Sequence, residues 1–594
     1  MVPMEYEHRI KRFTEEVEQL RKRDLLFATY RFVAGFAGLA LIVASLYLWS
    51  VWMAVLGVVT FIGFTALVLR HQAIRDERRL REIQRSINEE ESVYHKGDFT
   101  QLNTGAAYRD AHHFYADDLD VFGKGSLFQR INRAHSDRGK GILTDWLKQL
   151  NFDHLQERQQ AIEHLKHALD WRQLFTATAR KHDLQMVGQS TLASWTNRSS
   201  TSPWWTRVWV RWALSLWFPL LAFTVVLLTG SQYIDQLIYP FILNAMVFFS
   251  IFKGYRKEQE VMDDMHERFE GYAAMVAQLE AFPAGSSWLQ KELAPLEVKG
   301  KKASARLAEL AKILSRTDSA NNLFGAVVIN GLVFYHLHVF TKLLRWKEEH
   351  AAYLESWMET VHRFEAYVSL AGYAYNHPSF SFPELDEGDR KRFEAKDLGH
   401  PFLSDEKRVC NDISFDEMKL VVLTGSNMAG KSTFLRSIGL SMVMTSLGLP
   451  VCAASITMSR FELLSSMKPQ DDVNENTSYF QAEVNRLRKL MDVVESGTRC
   501  FLLLDEILRG TNSEDKRNGT RGFLKRLRQY DIKGILATHD VDIAEMAKTD
   551  DAFQNYFFES GYDGKDLTFD YQLRQGVCSS PNASQLLKLK KLID

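Results

Sequence analysis

One glycine-containing segment has the spacing of a phosphate-binding loop. Residues 425–432 match the pattern G-x-x-x-x-G-K-[ST], follow the apolar run Leu420–Leu423 and open a helical pattern. Backbone N–H groups of such a loop attract phosphate oxygens, its lysine reaches the β- and γ-phosphates, and the next hydroxyl ligates Mg²⁺. We therefore expect ATP, with Lys431 as a catalytic cation and Ser432 as a metal ligand. The expected nucleotide-binding residues are Gly425, Ser426, Asn427, Met428, Ala429, Gly430, Lys431, Ser432 and Thr433.

Two further apolar runs end in polar residues that complement such a loop. Cys500–Leu504 is followed by Asp505 and Glu506, and Gly534–Thr538 is followed by His539. We expect Asp505 to hold Mg²⁺ through water, Glu506 to activate the attacking water and His539 to sense the γ-phosphate. Each feature alone has an ordinary explanation, a solvated turn for the carboxylates and a structural histidine for His539. Together with the loop they predict an ATP hydrolase.

These side chains need a parallel sheet to position them. From Lys419 onward, short apolar or β-branched runs alternate with helical patterns, which is typical of an α/β fold. Helical periodicity dominates the sequence before that point, with breaks at 121–126 and 283–285 and a helix start expected at 151–153. The predicted fold class is mainly α, with a C-terminal α/β P-loop NTPase domain of the ABC type.

Composition excludes several classes of protein. Lys and Arg total 73 against 74 Asp and Glu, so contact with nucleic acid or anionic lipid requires a local patch. An apolar content of 46% excludes global disorder. The four cysteines stand far apart, which excludes a disulfide scaffold or zinc ribbon and is typical of a reducing cytosol. They are Cys410, Cys452, Cys500 and Cys578.

Two apolar stretches are long enough for membrane hairpins. Phe32–Leu69 is uncharged and about twice the ~20 residues that one crossing needs, with a turn expected at 49–50. The second stretch, Trp212–Phe252, has a single charged residue, Asp235, which lies in a polar turn between two apolar halves. Basic residues flank all four ends and avoid both turns, which predicts cytoplasmic ends for both hairpins. These residues are Arg21, Lys22, Arg23, Arg31, Arg70, Arg75, Arg78, Arg79, Arg81, Arg207, Arg211, Lys253, Arg256 and Lys257.

A third uncharged stretch, Ala320–Thr341, is predicted to be a buried core helix. It contains asparagine and histidine residues, including Asn330, His336 and His338, that are costly in hydrocarbon. For the two hairpins, the alternative is a pair of buried helical hairpins in a soluble protein, which usually keep a polar stripe. The expected location is the cytoplasmic (inner) membrane, multi-pass, with the ATPase domain in the cytoplasm.

The motifs resemble the MutS family of DNA mismatch-repair proteins. Its ATPase domain is similar to Thr424–Thr433, Asp505–Ser513 and Ala537–Asp540, where Asn-Met inside the loop and Arg-Gly-Thr after Glu506 are more specific than a general P-loop. Further similar positions are His400-Pro401, Asp471-Asp472, Ser478-Tyr-Phe480, Glu483 and the tail from Asn555 to Ser580. Upstream, Leu119–Leu165 resembles the helical core domain of the family.

The resemblance implies a dimer whose nucleotide site is completed by the partner subunit. Matched by motif, Ser478 would contact the γ-phosphate across the dimer interface. Residues 580–594 resemble the start of the family's dimerising helices. A homodimer that binds ATP and Mg²⁺, and that binds double-stranded DNA, is therefore expected. The expected function is a membrane-anchored MutS-like ATPase, switched by ATP, that acts on mismatched DNA or another DNA structure.

The sequence also departs from the family pattern. A membrane segment starting at residue 32 leaves no room for the N-terminal mismatch-recognition domain, and Phe13-Thr-Glu15 matches that domain's Phe-x-Glu wedge only by coincidence. The second hairpin falls near the DNA clamp of the family, which argues against a long DNA-encircling arm. Ser426 replaces a proline, and Asn476-Thr477 replace Gly-Arg, changes that should preserve nucleotide binding.

The predicted domains follow from these features. They are a charged N-terminal helix at 1–30, hairpin 1 at 31–70, a linker and first part of the helical core at 71–206, hairpin 2 at 207–256, the second part of the core at 257–385, the ATPase at 386–578 and a dimerisation tail at 579–594. Two alternative functions remain open: an ABC-type transport ATPase, and a membrane signalling or structural ATPase that binds no DNA. The transporter signature Leu-Ser-Gly-Gly-Gln does not occur in the sequence.

Overall fold

Two units, each built from separated stretches of chain, make up the protein in this computed structural model. The structure describes residues 2–184, 195–196, 204–230, 232–262, 265–298, 300–318, 323–388, 391–416, 419–426, 428–468, 479–546, 550–562 and 567–577. Unit 1 comprises Met1–Asp98, Arg133–Lys140 and Ala168–Ala366. Unit 2 comprises Phe99–Asn132, Gly141–His167 and Tyr367–Asp594. The predicted domain 71–206 is therefore divided between the two units.

Helices account for most of the described residues, and the strands lie mainly in the C-terminal third. The α-helices are α1 Val2–Leu48, α2 Val51–His95, α3 Leu127–Ile131, α4 Asp137–Lys148, α5 Leu155–His167, α6 Leu169–Lys181, α7 Val208–Thr229, α8 Ile238–Met262, α9 Met265–Ala281, α10 Ser287–Leu293, α11 Ala303–Asp318, α12 Leu323–Val333, α13 Tyr335–Asn376, α14 Lys431–Ser446, α15 Tyr479–Glu495, α16 Ser513–Leu527 and α17 Val541–Met546. The strands are β1 Glu297–Val298, β2 Lys301–Lys302, β3 Glu384–Leu385, β4 Phe393–Leu398, β5 Asn411–Ser414, β6 Leu420–Thr424, β7 Ser455–Met458, β8 Glu462–Ser466, β9 Cys500–Asp505, β10 Lys533–Thr538, β11 Phe553–Tyr562 and β12 Leu567–Gln575.

Unit 2 is organised around a six-stranded sheet with the order β12-β11-β6-β10-β9-β8. Neighbouring strands are parallel except for β11 and β12, which are antiparallel. Every residue of β6, β9 and β10 is buried, as in parallel sheets whose faces are both covered. These three strands are the predicted apolar runs, so the predicted parallel α/β sheet is confirmed. Their C-terminal ends meet at one edge of the sheet.

A second sheet and an N-terminal segment complete unit 2. The sheet has four strands in the order β3-β7-β4-β5. Segment 99–132 lies along the outer edge of β8, where Ser465 N donates a hydrogen bond to Phe114 O at 2.9 Å. The buried Asp118 carboxylate accepts from Ser465 Oγ at 2.6 Å and from Arg486 Nη2 at 3.0 Å. The segment therefore covers an edge that would otherwise expose unpaired backbone groups.

The first hairpin of unit 1 consists of α1 and α2, which pack closely against each other. The break falls at 49–50, as the sequence predicts, and the charged residues before Phe32 continue into the same helix. Small residues allow the close approach, because a Cβ on Gly57 would lie 2.9 Å from Ile42 Cγ1. Where the uncharged stretch ends, Asp24 of α1 accepts from His71 Nε2 at 2.5 Å and from Arg78 Nη1 at 2.6 Å of α2.

The second hairpin consists of α7 and α8, separated by a short 3-10 helix, Ile234–Leu237. By length and composition, α1, α2 and α7 could each cross a membrane. The apolar helical stretch Ile234–Ser250, which combines the 3-10 helix with the first part of α8, is shorter. Large apolar side chains on α7 are exposed, including Leu220 and Leu228. Among the described residues the structure thus contains three long apolar helices of this kind rather than the predicted four.

The third uncharged stretch forms α12 and the beginning of α13. The two helices meet at an angle of 86°, and Phe334 between them has a φ of 49°. Asn330 and His336 are buried, as expected of a core helix, but Ile329 and Leu332 are each 41% exposed. The prediction of a fully buried helix is therefore wrong on one face, because the polar groups turn inward and the apolar side chains turn outward.

Candidate functional site

The predicted phosphate loop connects β6 to α14. Gly425 has a φ of 149°, and a Cβ there would lie 2.9 Å from Phe558 O, so no other residue fits without a shift. Gly430 has a φ of 103° and precedes the first residue of α14. The buried Lys431 side chain curls over the loop, with Nζ donating to Gly425 O at 2.7 Å and Ser426 O at 2.9 Å. Phosphate oxygens could replace these two carbonyls as acceptors.

A hydroxyl and a carboxylate meet beside the start of α14. Ser432 Oγ donates to Asp505 Oδ2 at 2.5 Å, so the two predicted metal ligands are adjacent. Burial raises the pKa of Asp505, partly offset by the hydrogen bond from Ser432. No group of three or more His, Cys, Asp or Glu residues in the described part of the chain is arranged to hold a metal. A Mg²⁺ ion here would draw on one hydroxyl, one carboxylate, water and substrate phosphates, which matches its usual coordination.

Glu506 and His539 form a second pair at the same sheet edge. His539 Nδ1 lies 3.0 Å from Glu506 Oε1. Burial would raise the pKa of Glu506, but His539, Arg509 and Lys431 outweigh it and hold the pKa below its usual value. Glu506 also has a φ of 51°, an uncommon backbone conformation of the kind that clusters at functional sites. The pair therefore combines an ionised carboxylate with an imidazole that can orient it.

The turn after Glu506 is held by residues to which the motifs assign no role. Leu508 has a φ of 60°, and Glu483 of α15 accepts hydrogen bonds from Leu508 N at 2.6 Å and Arg509 N at 2.9 Å. The Arg509 guanidinium donates back to Asp505 O at 3.0 Å and Glu506 O at 2.9 Å. Glu483 and Arg509 occur only as marks of resemblance in the sequence, and nothing local predicts this arrangement.

A cavity of about 890 Å³ joins these groups. Its lining comprises the loop, Asp505, Glu506 and Arg509, together with residues from other parts of unit 2. His400 is among the latter, and burial together with Arg436 and Arg130 lowers its pKa to about 4. Sequence patterns give no signal for several lining residues, because they come from loops and from the second sheet. These are Leu403, Lys407, Val409, Asn411 and Tyr571.

Several predicted features lie outside the described residues. They are Asn427 of the loop, Asp471-Asp472, Asn476-Thr477, the predicted trans contact Ser478 and the tail 580–594. Among the described residues, Met428 lies in the loop with a φ of 74° and is 84% exposed. The remaining predicted site residues, namely Gly425, Ser426, Met428, Ala429, Gly430, Lys431, Ser432, Thr433, Asp505, Glu506 and His539, all lie on β6, β9, β10 or the segments that follow them.

The fold and the site define a class, an α/β domain whose polar groups gather at the C-terminal ends of adjacent parallel strands. Comparison with known proteins narrows this class, because residues 421–592 match the family model described as MutS domain V. The chain is 30% identical over 226 residues to the DNA mismatch repair protein MutS of Thermotoga petrophila, covering 37% of this chain and 27% of that protein.

Two further similar proteins also carry MutS names. The MutS of Thermotoga maritima is 28% identical over 264 residues, which cover 43% of this chain and 32% of that protein. Endonuclease MutS2 of Streptococcus thermophilus is 26% identical over 220 residues, which cover 36% of this chain and 27% of that protein. The matched region thus spans about a third or less of each relative. The domain match, which includes the candidate site, and these relatives show similarity to the MutS family.

Proposed function

We propose that the chain is a membrane-anchored, MutS-like ATPase in which ATP binding and hydrolysis switch a homodimer that binds DNA. One observation carries the enzymatic part of this proposal: Lys431, the Ser432–Asp505 pair and the Glu506–His539 pair are all at one sheet edge, beside one cavity. A cavity of about 890 Å³ is within the range of small-ligand sites. The match to MutS domain V supports an ATP-hydrolysing enzyme at the level of the family.

In the proposed mechanism the loop binds the phosphates and Lys431 neutralises them. Nζ gives up its bonds to Gly425 O and Ser426 O and donates to β- and γ-phosphate oxygens. Ser432 and Asp505 would hold Mg²⁺, which supplies charge neutralisation at the phosphates. Binding of a cation opposes the burial that raises the pKa of Asp505 and keeps this side chain ionised.

Glu506 acts as the general base in this proposal. Its lowered pKa keeps the carboxylate ionised at neutral pH, so it can orient a water and accept its proton. His539 Nδ1 lies 3.0 Å from Glu506 Oε1 and can orient the carboxylate. We assign to His539 the role of sensing the γ-phosphate. Arg509, which donates to the backbone carbonyls of both acidic residues, fixes the turn that presents them.

The proposals of a dimer and of a DNA ligand are based on the similarity to MutS proteins. Two relatives are described as DNA mismatch repair proteins, and another as an endonuclease. The test is ATP hydrolysis by the purified full chain with duplex, branched or mismatched DNA across a salt series. Stimulation that falls steeply with salt supports phosphate contacts. Equal turnover with and without DNA at low salt would exclude the DNA ligand and favour the signalling or structural alternative.

Membrane anchoring rests on the length and apolar exposure of α1, α2 and α7. Single cysteines at Ser50 and Gln232, in a chain without its natural cysteines, test the topology. We expect a membrane-impermeant reagent to label both positions in intact cells. Labelling of Gln232 only after lysis would contradict the second crossing pair.

The transport alternative makes a different demand on the helices. A transport path needs polar groups free to contact a substrate within the membrane. The polar side chains of this helical region instead bond to one another: Ser215 Oγ lies 2.7 Å from His338 Nε2, and Trp217 Nε1 donates to Asn244 Oδ1 at 2.8 Å. This pairing favours a structural role for these groups, so we prefer the anchored ATPase.

A further inference from the structure

The third uncharged stretch differs from an ordinary core helix because its polar face is buried and part of its apolar face is exposed. On α12, the polar Asn330 is fully buried while Ile329 and Leu332 are each 41% exposed, and Val333 is 40% exposed. A water-soluble helix has the opposite arrangement, with apolar side chains inside and polar side chains outside. An inverted arrangement of this kind is expected where the surrounding medium is hydrocarbon.

Helix α12 packs directly on the second hairpin, against both α7 and α8. The contact is close at Gly331, where a Cβ would lie 2.4 Å from Phe241 Cε2. Asn244, only 1% exposed, donates from Nδ2 to Gly331 O at 2.9 Å. Small residues and buried amide hydrogen bonds at a helix contact are typical of packing inside membranes.

At the break between α12 and α13, polar groups of the two helices form hydrogen bonds with each other. Asn330 Oδ1 accepts from His336 N at 3.0 Å, and Asn330 Nδ2 lies 2.7 Å from His336 Nδ1. A break in a helix at membrane depth is tolerated only where its freed backbone groups find partners in the protein. The Asn330 side chain supplies such a partner on the far side of the 86° bend.

The contacts of α13 with α7 indicate that the apolar parts of the two helices end at the same level. His338 pairs with Ser215, and each lies one helical turn, about 6 Å along its axis, from a basic residue at the end of an apolar run, Lys342 and Arg211 respectively. Arg211 is near enough to interact with Arg345, so charged residues resume at the same level on both helices. Helix α12 has only 11 residues, about 16 Å, which is half the hydrocarbon thickness of a bilayer.

From these observations we infer that α12 and the first two turns of α13 form a re-entrant membrane element, which enters and leaves the bilayer on the cytoplasmic side and exposes Ile329, Leu332 and Val333 to lipid acyl chains. The inference rests on the proposed membrane anchoring. It replaces the buried core helix with a fifth apolar element that is held against the second hairpin by Gly331 and Asn244. Lipid is the occupant because α12 packs on α7, whose large apolar side chains, including Leu220 and Leu228, are exposed as well.

Spin-label accessibility in liposomes tests the inference. A single cysteine at Ile329 or Leu332, in the full chain without Cys410, Cys452, Cys500 and Cys578, is labelled with a nitroxide and reconstituted. Relaxation by oxygen, which partitions into lipid, is compared with relaxation by a polar nickel chelate. Two control sites with exposed apolar side chains are Leu220 on α7 and Val541 in unit 2. Retained ATP hydrolysis confirms that each labelled protein is folded.

We expect the ratio of oxygen to nickel relaxation at Ile329 and Leu332 to match Leu220 and to exceed Val541 several-fold. A ratio equal to that of Val541, with Leu220 still in lipid, would overturn the re-entrant element and leave the hairpins intact. Aqueous accessibility at Leu220 as well would overturn the anchoring itself. Low accessibility to both reagents with spin–spin broadening would instead assign this face to a second copy of the chain and would also refute the lipid contact.

Discussion

Polar side chains are organised in opposite ways in the C-terminal sheet and in the helical hairpins. In unit 2, parallel strands deliver Asp505, Glu506 and His539 to one edge, where Asp505 and Glu506 line a cavity. In unit 1, Asn244 and Asn330 are buried between helices, where their side chains form hydrogen bonds with Gly331 and His336 respectively. The first arrangement leaves hydrogen-bonding capacity for a ligand, whereas the second uses that capacity to hold helices together.

This difference indicates which polar groups do chemistry. Lys431 bonds to carbonyl oxygens that an anion can replace, and Asp505 carries a raised pKa that a cation would reverse. The amide of Asn244 has partners at both ends, Trp217 and Gly331, and its replacement by a ligand would leave buried groups unpaired. Unit 2 should therefore respond to mutation in its activity, and the helices of unit 1 should respond in their stability.

The largest expected effect is on turnover. Glu506→Gln removes the proposed base but preserves the shape of the side chain, so ATP should still bind while hydrolysis falls by about 10²–10⁴-fold. Single-turnover hydrolysis and nucleotide binding measure the two steps separately. Glu559→Gln, on the exposed side of β11 and outside the cavity, is the matched control. Undiminished hydrolysis in Glu506→Gln would move the base elsewhere.

The next effect is on binding. Lys431→Ala removes the cation that curls over the loop, and we expect ATP affinity to fall by about 100-fold, the value of one or two hydrogen bonds to a charged group. Equilibrium binding of a fluorescent ATP analogue measures the loss. Lys489→Ala, on the exposed face of α15, should bind ATP like the unaltered protein. Wild-type affinity in Lys431→Ala is the result that rules out a phosphate loop.

A third change should affect stability alone. Gly331→Ile places side-chain atoms where Phe241 packs, and overpacking of this kind costs about 1–3 kcal/mol. The thermal midpoint of the purified protein in detergent should fall while ATP affinity is retained. Gly63→Ala, where a Cβ meets nothing within 4 Å, is the control and should not lower the midpoint. Equal midpoints for the two variants would mean that α12 does not pack on α8.

The smallest effect concerns pH. Because burial and two arginines lower the pKa of His400 to about 4 from 6.5, the unfolded chain takes up a proton between these values that the native site refuses. Stability from this group is complete above pH 6.5 and is lost as pH falls toward 4, by about 1–2 kcal/mol after allowance for partial exposure. His400→Gln should flatten denaturant midpoints measured from pH 7 to 4.5, whereas His112→Gln should keep their slope. Parallel curves for all three proteins would refute this assignment.

Sequence patterns predict the strand ends of unit 2 well, because inner strands of a parallel sheet are continuous apolar runs and polar residues follow them directly. The extents of β6, β9 and β10 and the pairing of Ser432 with Asp505 follow from that rule. The breaks in the hairpins at 49–50 and near Asp235 are likewise visible as interruptions of apolar runs.

Features that depend on long-range packing are not visible in the sequence. Tyr571 and Asn411 reach the cavity from β12 and β5, where no local pattern marks them. The same holds for the bend at Phe334, because only the partners of Asn330 explain why the chain turns there. The predicted core helix fails on its exposed face for this reason.

The hydrogen bond between Asp118 and Ser465, which holds the segment 99–132 along the edge of β8, has a consequence for biosynthesis. Ser465 is 347 residues further along the chain than Asp118, so the segment leaves the ribosome long before its docking site exists. At ~5–20 residues per second, the delay is roughly 20–70 seconds. During that time the segment has no partner strand to pair with. Chaperone binding to nascent chains should therefore concentrate on this segment and end once the C-terminal sheet is complete.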